Sequence, residues 1–295
     1  MRANLIVPDK NISILLKGTP GIGKTIAATS FCIFGDVYLA YFDKRTPVEL
    51  VGFYKKIGRP ELLERIEWDA FGSGNANEYL NRLIKLSREP GKYVAIITDS
   101  VTNLTSAAVN WSLSFRDPKK TKKSDDQFLI PDFDQYKCET SLASQALDLC
   151  KLIPGYSIWV AHPLPKLEVS GSGSNMTVTR SSTLVSYGQK VGAMIPGSFT
   201  EVYHFGRQVE KRIVFTDMIG DDYAKTSFNL PQSFNITNRL FAEVWKGLME
   251  IALEEKKEVL NEKEITQSSN QPLTSLSQLS QLTNQTKEGT TRWKV

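Results

Sequence analysis

The residues best suited to chemistry form a glycine-rich run, GTPGIGKT, at positions 18–25. The run matches the pattern G-x-x-x-x-G-K-[ST], in which glycines let main-chain N–H groups turn inward around a phosphate. We therefore expect a phosphate-binding loop, or P-loop, made of Gly18, Thr19, Pro20, Gly21, Ile22, Gly23, Lys24 and Thr25. The Lys24 ammonium should contact the β- and γ-phosphates of a nucleoside triphosphate, and the Thr25 hydroxyl should bind Mg²⁺. ATP and Mg²⁺ are the predicted ligands.

Three more polar side chains stand where predicted strands end. Asp99 follows the apolar run YVAIIT and can hold Mg²⁺ through water, although a helix-capping aspartate would look the same. Asp43 ends VYLAYFD and can orient or deprotonate an attacking water, or it is a cap or turn residue. His162 ends YSIWVA, where its side chain can contact the γ-phosphate and move the loop that follows. Lys24, Asp99, Asp43 and His162 are thus the candidate catalytic residues, with Thr25 and Asp99 as metal ligands.

The elements that must position these residues alternate between strands and helices. Apolar runs at 12–17, 37–43, 93–98 and 156–161 are typical of buried strands, and helical patterns separate them. This alternation predicts an α/β fold with a mostly parallel, twisted sheet covered by helices on both faces. The run EVYHFGRQVEKRIVFTDMI that begins at residue 201 predicts antiparallel strands at the C-terminal edge, with a turn near Gln208–Lys211.

Changes in composition divide the chain into three parts. Residues 1–235 are predicted to form the nucleotide-binding domain. Residues 236–254 are predicted to contain a last helix, which starts near residue 238 and packs on this domain. Residues 255–295 are charged, then rich in Ser, Thr, Gln and Asn. They cannot bury enough apolar surface to offset their ordering entropy, so we expect a disordered polar tail. The Gly- and Ser-rich segment at 163–185 is predicted to be a mobile loop or a hairpin.

Bulk properties exclude several classes of protein. The chain contains no run of about 18 apolar residues, which argues against a membrane span, and its first residues lack the apolar core of a signal peptide. A cytoplasmic location is therefore expected. The three cysteines form no CxxC pair and are expected to be free thiols. The net charge of +4 permits nucleic-acid binding through local patches without requiring it.

The motifs in this order resemble the RecA/RadA-type ATPase core over roughly residues 10–235. They resemble more closely the AAA-domain, RecA-like ATPases of bacteriophages, some of which act as single-strand annealing proteins. The resemblance is carried by GTPGIGKT, by YVAIITDS, by the strand end AHP at 161–163 and by the run GQKVGAMIPGSFTEVYHF at 188–205. It implies a RecA-like fold, with Asp99 as the Walker B acid and His162 at the sensor position.

By the same resemblance, single-stranded DNA is the expected partner of two loops. One follows the helix after Asp99 and the other follows His162; their basic residues are Lys119, Lys120, Lys122, Lys123, Lys166 and Arg180. A run of lysines is also typical of a solvated loop. The resemblance further implies a ring or filament of identical subunits in the cytoplasm of a phage-infected cell. A neighbour's basic residue would complete the ATP site, from the candidates Lys190, Arg207, Lys211 and Arg212.

The chain departs from the RecA-like pattern just beyond its second strand. A catalytic Glu is usual there, whereas this chain has FDKRTP, with Asp43 the nearest acid. Two functions follow as hypotheses. The first is an ATPase that acts on single-stranded DNA in recombination, annealing or replication. The second is a nucleotide-gated interaction or loading module with little hydrolysis, which recruits replication factors such as a single-strand-binding protein through its tail.

Overall fold

The structure, a computed structural model, describes residues 11–43, 46–115, 130–170, 177–186, 189–218 and 223–254. Within these ranges, residues 165–170, 177–183 and 189–190 are described by their main chain alone. Contacts divide the chain into a first unit, Met1–Met249, and a second, Glu250–Val295. Residues 250–254 of the second unit are helical. The predicted polar tail, 255–295, lies outside the described residues, and the predicted boundaries at 235 and 254 stay predictions.

Strands and helices alternate along the first unit. The strands are β1 (Asn11–Gly18), β2 (Val37–Tyr41), β3 (Ile66–Ala70), β4 (Ala95–Asp99), β5 (Gly155–Ala161), β6 (Pro163–Ser170), β7 (Thr177–Leu184), β8 (Glu201–Gln208), β9 (Lys211–Phe215) and β10 (Ser233–Asn235). The helices are α1 (Lys24–Thr29), α2 (Val48–Lys56), α3 (Ala76–Arg88), α4 (Val101–Ser114), α5 (Phe133–Leu152) and α6 (Gln189–Met194). A further helix, α7, covers 241–249 in this unit.

In the part of the chain that the structure describes, eight strands form one sheet in the order β10-β9-β8-β1-β5-β4-β2-β3. Pairing is parallel from β8 to β3 and antiparallel from β8 through β9 to β10. The predicted α/β class, with a mostly parallel sheet and antiparallel strands at the C-terminal edge, is confirmed. β1 lies between β5 and β8, so the strand that leads into the P-loop is central.

Successive residues of the central strands pack into two different layers. On one face, Ile14, Leu39 and Ile97 join a core cluster that includes residues of α1, α2 and α7. On the other face, Leu15 and Trp159 join a cluster that includes residues of α3, α4, α5 and α6. All five of these side chains are fully buried. Because both faces of each strand are covered, the strands consist of uninterrupted apolar residues. Such apolar runs are the pattern from which the sequence predicted these strands.

Local signals explain where the long helices begin. The Ser100 hydroxyl accepts a hydrogen bond from the N–H of Asn103 and caps α4. α5 begins with a capping box, in which Asp132 and Gln135 each bond the other's main chain. The cap of α4 lies directly after Asp99, so the same turn ends a central strand, places a carboxylate and starts a helix.

The structure refines several predicted elements. The sequence at 46–65 has a helical pattern with breaks at Gly58 and Pro60, and the structure forms α2 before this break and a 3₁₀ helix, Pro60–Arg65, after it. The segment at 163–185 contains a hairpin of β6 and β7. The predicted turn between Gln208 and Lys211 is confirmed. The sequence patterns missed the short helix α6 and the three-residue strand β10, since both lie in polar surroundings without clear periodicity.

The predictions that the chain has no membrane span and that its cysteines are free thiols can be compared with the described residues. None of the helices in this part of the chain combines the length and the apolar run that crossing a membrane requires. The three cysteines, Cys32, Cys138 and Cys150, are free, as expected. Cys32 and Cys150 are buried in the core, where a thiol behaves as a small apolar side chain.

Gly155 sets how closely β5 approaches β4. Its φ is 109°, in the left-handed region, and an added Cβ would collide with the main-chain carbonyl of Val94. That carbonyl accepts a hydrogen bond of 2.9 Å from the N–H of Tyr156. Since β4 ends at Asp99 and β5 ends next to His162, this contact fixes the spacing of two candidate site residues.

We predict that Gly155→Ala destabilises the protein more than Gly91→Ala does. Gly91 also has a positive φ, of 91°, but nothing lies within 4 Å of its added Cβ. The backbone alone should cost about 1–2 kcal/mol at either position, and the collision at Gly155 should add ~1–3 kcal/mol. Urea unfolding measures both variants. Equal losses of unfolding free energy would show that Val94 moves away without cost.

Candidate functional site

The P-loop joins β1 to α1, and its glycines are needed for two reasons. Gly21 and Gly23 have φ of 76° and 97°, which L-residues with side chains rarely adopt. Gly18 lies against β8, where an added Cβ would be 2.7 Å from the carbonyl oxygen of Phe205. The predicted loop residues Thr19, Pro20 and Gly21 form its exposed tip, whereas Ile22 is buried.

Lys24 is buried at the first turn of α1, and its ammonium is held by the loop itself. The Nζ atom donates to the carbonyl oxygens of Gly18 at 2.8 Å and Thr19 at 2.9 Å. It also lies 3.3 Å from Nδ1 of His162. Burial lowers the pKa of Lys24 to about 8, an effect that the nearby charge of Asp99 opposes. A cation so placed, and stripped of water, is suited to bind an anionic oxygen.

Thr25 and Asp99 meet directly, although β5 separates β1 from β4 in the sheet. The Thr25 hydroxyl donates a hydrogen bond of 2.5 Å to Oδ2 of Asp99. Burial raises the pKa of Asp99 to about 6, against the opposing effects of this hydrogen bond and of Lys24. A hydroxyl and a carboxylate side by side are the oxygen ligands that Mg²⁺ prefers.

The donor set agrees with Mg²⁺ shared between protein and nucleotide. Among the described residues, no group of three or more His, Cys, Asp or Glu side chains forms a metal site. Mg²⁺ usually takes one or two protein oxygens and completes its shell with phosphates and water. Thr25 and Asp99 supply the protein oxygens that such an ion needs, so these residues fit the predicted metal.

Two acids act on Asp99 from the neighbouring strand end. Glu49, in the first turn of α2, and Asp43, just after β2, both raise the pKa of Asp99. The Tyr41 hydroxyl donates to Glu49 at 3.3 Å. Asp43 also raises the pKa of His162, so its charge reaches two candidate site residues. Asp43 was predicted for this position, whereas Glu49 was missed, because an acid in the first turn of a helix is common.

His162 connects the P-loop to the β6–β7 hairpin. Because a lysine ammonium can only donate, its contact with His162 requires Nδ1 to be the acceptor and the ring to be neutral. Burial and the charge of Lys24 lower the pKa of this imidazole, which favours that form. The main-chain oxygen of His162 accepts from the N–H of Val185 at 2.9 Å. Thr102 then donates to the oxygen of Val185 at 3.1 Å.

The predicted DNA-binding residues lie mostly beyond the side chains that the structure describes. Lys166 and Arg180 belong to the two strands of the hairpin, where Lys166 pairs with Ser181 and Arg180 with Leu167. The other four are Lys119, Lys120, Lys122 and Lys123, and they lie outside the described residues.

Of the basic residues expected to complete a neighbour's site, Arg212 lies at the P-loop of its own chain. Its Nη1 atom is 3.3 Å from the place that a Cβ on Gly23 would occupy. Arg207 instead pairs with Glu210 at 3.2 Å. Lys211 is exposed on β9, and Lys190 is described only by its main chain, in α6. The position of Arg212 depends on contacts between β9 and the P-loop, which no local pattern reveals.

Comparisons with known proteins found similarity only among solved structures. No family model matches the chain, and no curated protein matches it. The chain is similar to the RadB recombinase, at 14% identity and a TM-score of 0.43, over 78% of this chain and 89% of that one. It is also similar to a KaiC-like protein of the hyperthermophilic archaeon Pyrococcus horikoshii OT3, at 12% identity and a TM-score of 0.42, over 76% and 88%.

We predict that the buried charge of Asp99 weakens the ligand-free fold as pH rises. Its pKa is about 6 in the folded protein against an ordinary 3.8, so the folded state binds the extra proton between these values. The stabilisation that the protonated Asp99 side chain gives to the folded state is therefore fully present below pH 3.8, and it is lost as the pH rises through about 6. At ~1.4 kcal/mol per pKa unit, the loss is about 3 kcal/mol.

Asp99→Asn is uncharged and should remove this part of the pH dependence. Unfolding by urea between pH 4 and 7.5, without nucleotide and with EDTA, compares the variant with the wild type. The variant should gain stability relative to the wild type as pH rises. Parallel curves for the two proteins would mean that the carboxylate is solvated in solution.

Proposed function

We propose that this protein is a RecA-like P-loop ATPase that binds ATP with Mg²⁺ and acts on single-stranded DNA. The observation that carries the proposal is the hydrogen bond from Thr25 to Asp99, next to the buried ammonium of Lys24. Lys24 and Thr25 open the helix after β1, and Asp99 ends β4; β5 separates these two strands, yet the three side chains converge at the carboxyl edge of the sheet. Open α/β sheets bind their ligands at this edge.

In this proposal, each residue of the site has a defined task. Lys24 leaves the carbonyls of the loop to bind the terminal phosphates, while Thr25 and Asp99 hold Mg²⁺. Bound by these two residues, Mg²⁺ would neutralise the negative charge that develops on the phosphates during transfer. Asp43 orients and deprotonates the attacking water, because its charge reaches both Asp99 and His162. Glu49 adds negative charge to the same region and is bound by the Tyr41 hydroxyl.

The ends of α4 and α5 support the proposed contact with single-stranded DNA. Phe115, at the end of α4, and Phe133, at the start of α5, are each 72% exposed. The chain between them carries the four lysines of the first predicted DNA loop. Exposed aromatic rings beside basic residues suit single-stranded DNA, since bases stack on the rings while the phosphates meet the charges. The loop sequence itself contains few aromatic residues, and these two flank it.

The proposed biological role of this activity is based on the resemblance of the sequence motifs to the phage ATPases, not on the geometry of the site. We propose a role in recombination, annealing or replication, as in the phage ATPases that the motifs resemble, and a ring or filament of identical subunits. The alternative, a nucleotide-gated loading module, is favoured by one observation: the strand end carries Asp43 where a Glu is usual. The two functions differ in turnover, so hydrolysis separates them.

We predict that Lys24→Ala weakens MgATP binding roughly 10- to 150-fold, the loss expected for a hydrogen bond to a charged group. Wild-type ATP hydrolysis should rise when single-stranded DNA is added, and the variant should show no hydrolysis. Lys55→Ala, which removes an exposed lysine from α2, is the control and should behave as the wild type. ATP binding without turnover in the wild type would instead support the loading module.

We expect Asp43→Asn to lower kcat by about 10²–10⁴ while MgATP affinity is retained, as for loss of a general base. Glu49→Gln is the matched control, because it removes the second acid and keeps the shape of the side chain. It should lose much less activity. Single-turnover hydrolysis at saturating MgATP measures both variants. The reverse order of effects would assign the base to Glu49.

His162→Ala should uncouple nucleotide from DNA without preventing ATP binding. The imidazole contacts Lys24, and the main-chain oxygen of the same residue accepts a hydrogen bond from the N–H of Val185 at the far end of the hairpin. A ligand shifts such an equilibrium only by its differential affinity for the two states. Typical coupling would make wild-type DNA affinity differ by about 5- to 150-fold between a non-hydrolysable ATP analogue and ADP.

Fluorescence anisotropy with labelled single-stranded DNA measures this ratio in the wild type and in His162→Ala. We expect the ratio to approach one in the variant. His162→Asn, which keeps a polar side chain, should retain part of it. A variant that keeps the full wild-type ratio would show that His162 only packs between the loop and the hairpin.

A further inference from the structure

A cavity of 220 Å³ opens beside the P-loop, away from Asp99 and His162. Its walls come from the P-loop, the last turn of α2, the β8–β9 hairpin and the segment 236–239. Clefts that enclose a whole drug-sized ligand measure roughly 300–1,000 Å³. This cavity is smaller, so it suits one part of a nucleotide whose phosphates lie outside it.

The walls combine apolar and polar side chains. Ile22, Phe53 and Ile57 give the cavity apolar surface, and Thr237 and Asn238 give it hydrogen-bonding groups. A base and its ribose need both kinds of surface, since the base has flat apolar faces and the base edge and sugar carry hydrogen-bonding groups. The chemistry of the walls therefore matches a nucleoside.

The charge of the walls favours an anionic ligand. Four basic residues line the cavity, Lys56, Arg207, Arg212 and Arg239, against one acid, Glu210. Arg207 and Glu210 pair with each other at 3.2 Å. Among the described residues, no carboxylate forms an ion pair with the other three cations. Their charge is available to the phosphates of a bound nucleotide.

Arg212 stands between the cavity and the P-loop. Its guanidinium lies against Gly23, with Nη1 3.3 Å from the place of an added Cβ. The main chain of Arg212 is fixed on both sides: its N–H donates to Thr237 Oγ1 at 2.8 Å, and its oxygen accepts from Ile236 at 2.9 Å. The wall of the cavity thus holds Arg212 next to the loop that binds phosphate.

We propose that the cavity receives the nucleoside of the bound triphosphate and that Arg212 binds the phosphate next to the ribose, within the same chain. The inference rests on the proposed function, since it extends the ligand outward from the P-loop. It also gives Arg212 a role in the site of its own subunit, in place of the one expected in a neighbour's site. Gly23 lacks a side chain at the point where the guanidinium approaches.

Inorganic tripolyphosphate separates the two parts of the ligand, because it can occupy the P-loop but has no nucleoside. Calorimetry with MgATP and with magnesium tripolyphosphate gives two affinities for each variant. The wild type should bind ATP at least about tenfold more tightly, a difference of ~1.4 kcal/mol. Phe53→Ala should weaken ATP and leave tripolyphosphate unchanged. Arg212→Ala should weaken both, by roughly 10- to 150-fold for ATP.

Lys55→Ala is the control, because Lys55 is exposed on the same helix as Phe53 and does not line the cavity. Melting temperatures without ligand confirm that each variant is folded, and Phe53→Leu replaces Phe53→Ala if that variant unfolds. Equal wild-type affinities for ATP and tripolyphosphate would overturn the inference and leave the P-loop assignment intact. Unchanged ATP binding in Phe53→Ala and Arg212→Ala would overturn it as well. If neither ligand binds the wild type, the proposed function itself fails.

Discussion

Two opposite charges, on Lys24 and Asp99, are buried at one edge of the sheet, and the rest of the site is arranged around them. Each is taken out of water, and the pKa of each moves toward its neutral form, to about 8 and about 6. Their mutual attraction only partly offsets the cost of burial. Loop carbonyls and the Thr25 hydroxyl satisfy the remaining hydrogen bonds. The ligand-free site is therefore held in a state that a bound cation and anion would relieve.

The same arrangement places a short series of contacts between the site and the β6–β7 hairpin. The Lys24 ammonium that donates to the loop carbonyls also contacts His162. His162 and Val185 are joined by a main-chain hydrogen bond, at the two ends of the hairpin. One side-chain contact and one main-chain hydrogen bond thus link the ammonium to the hairpin. Such a short route needs no deformation of the packed core, which resists gradual change.

The sequence predicted the parts of this architecture that depend on local patterns. The buried strands were found because both their faces are apolar, and the P-loop because its glycines have fixed spacing. The strand order, the meeting of Thr25 with Asp99 and the place of Arg212 depend on contacts between residues far apart in the chain. Glu49 was missed for a related reason, since only packing shows that its charge acts on Asp99. The structure therefore added the surroundings of the predicted site residues.

The central position of β1 has a consequence for how the chain is made. Its partners β5 and β8 are both parallel to it and are synthesised much later; Ser13 and Thr200, which bond each other beside β1, are 187 residues apart. At a translation rate of about 5–20 residues per second, β1 waits roughly 10–40 s for its last neighbour. Until β5 is made, its run of apolar side chains has no neighbouring strand to pair with, and until β8 is made one edge of β1 stays open. The strand that carries the P-loop thus needs protection from aggregation until both of its neighbours have left the ribosome.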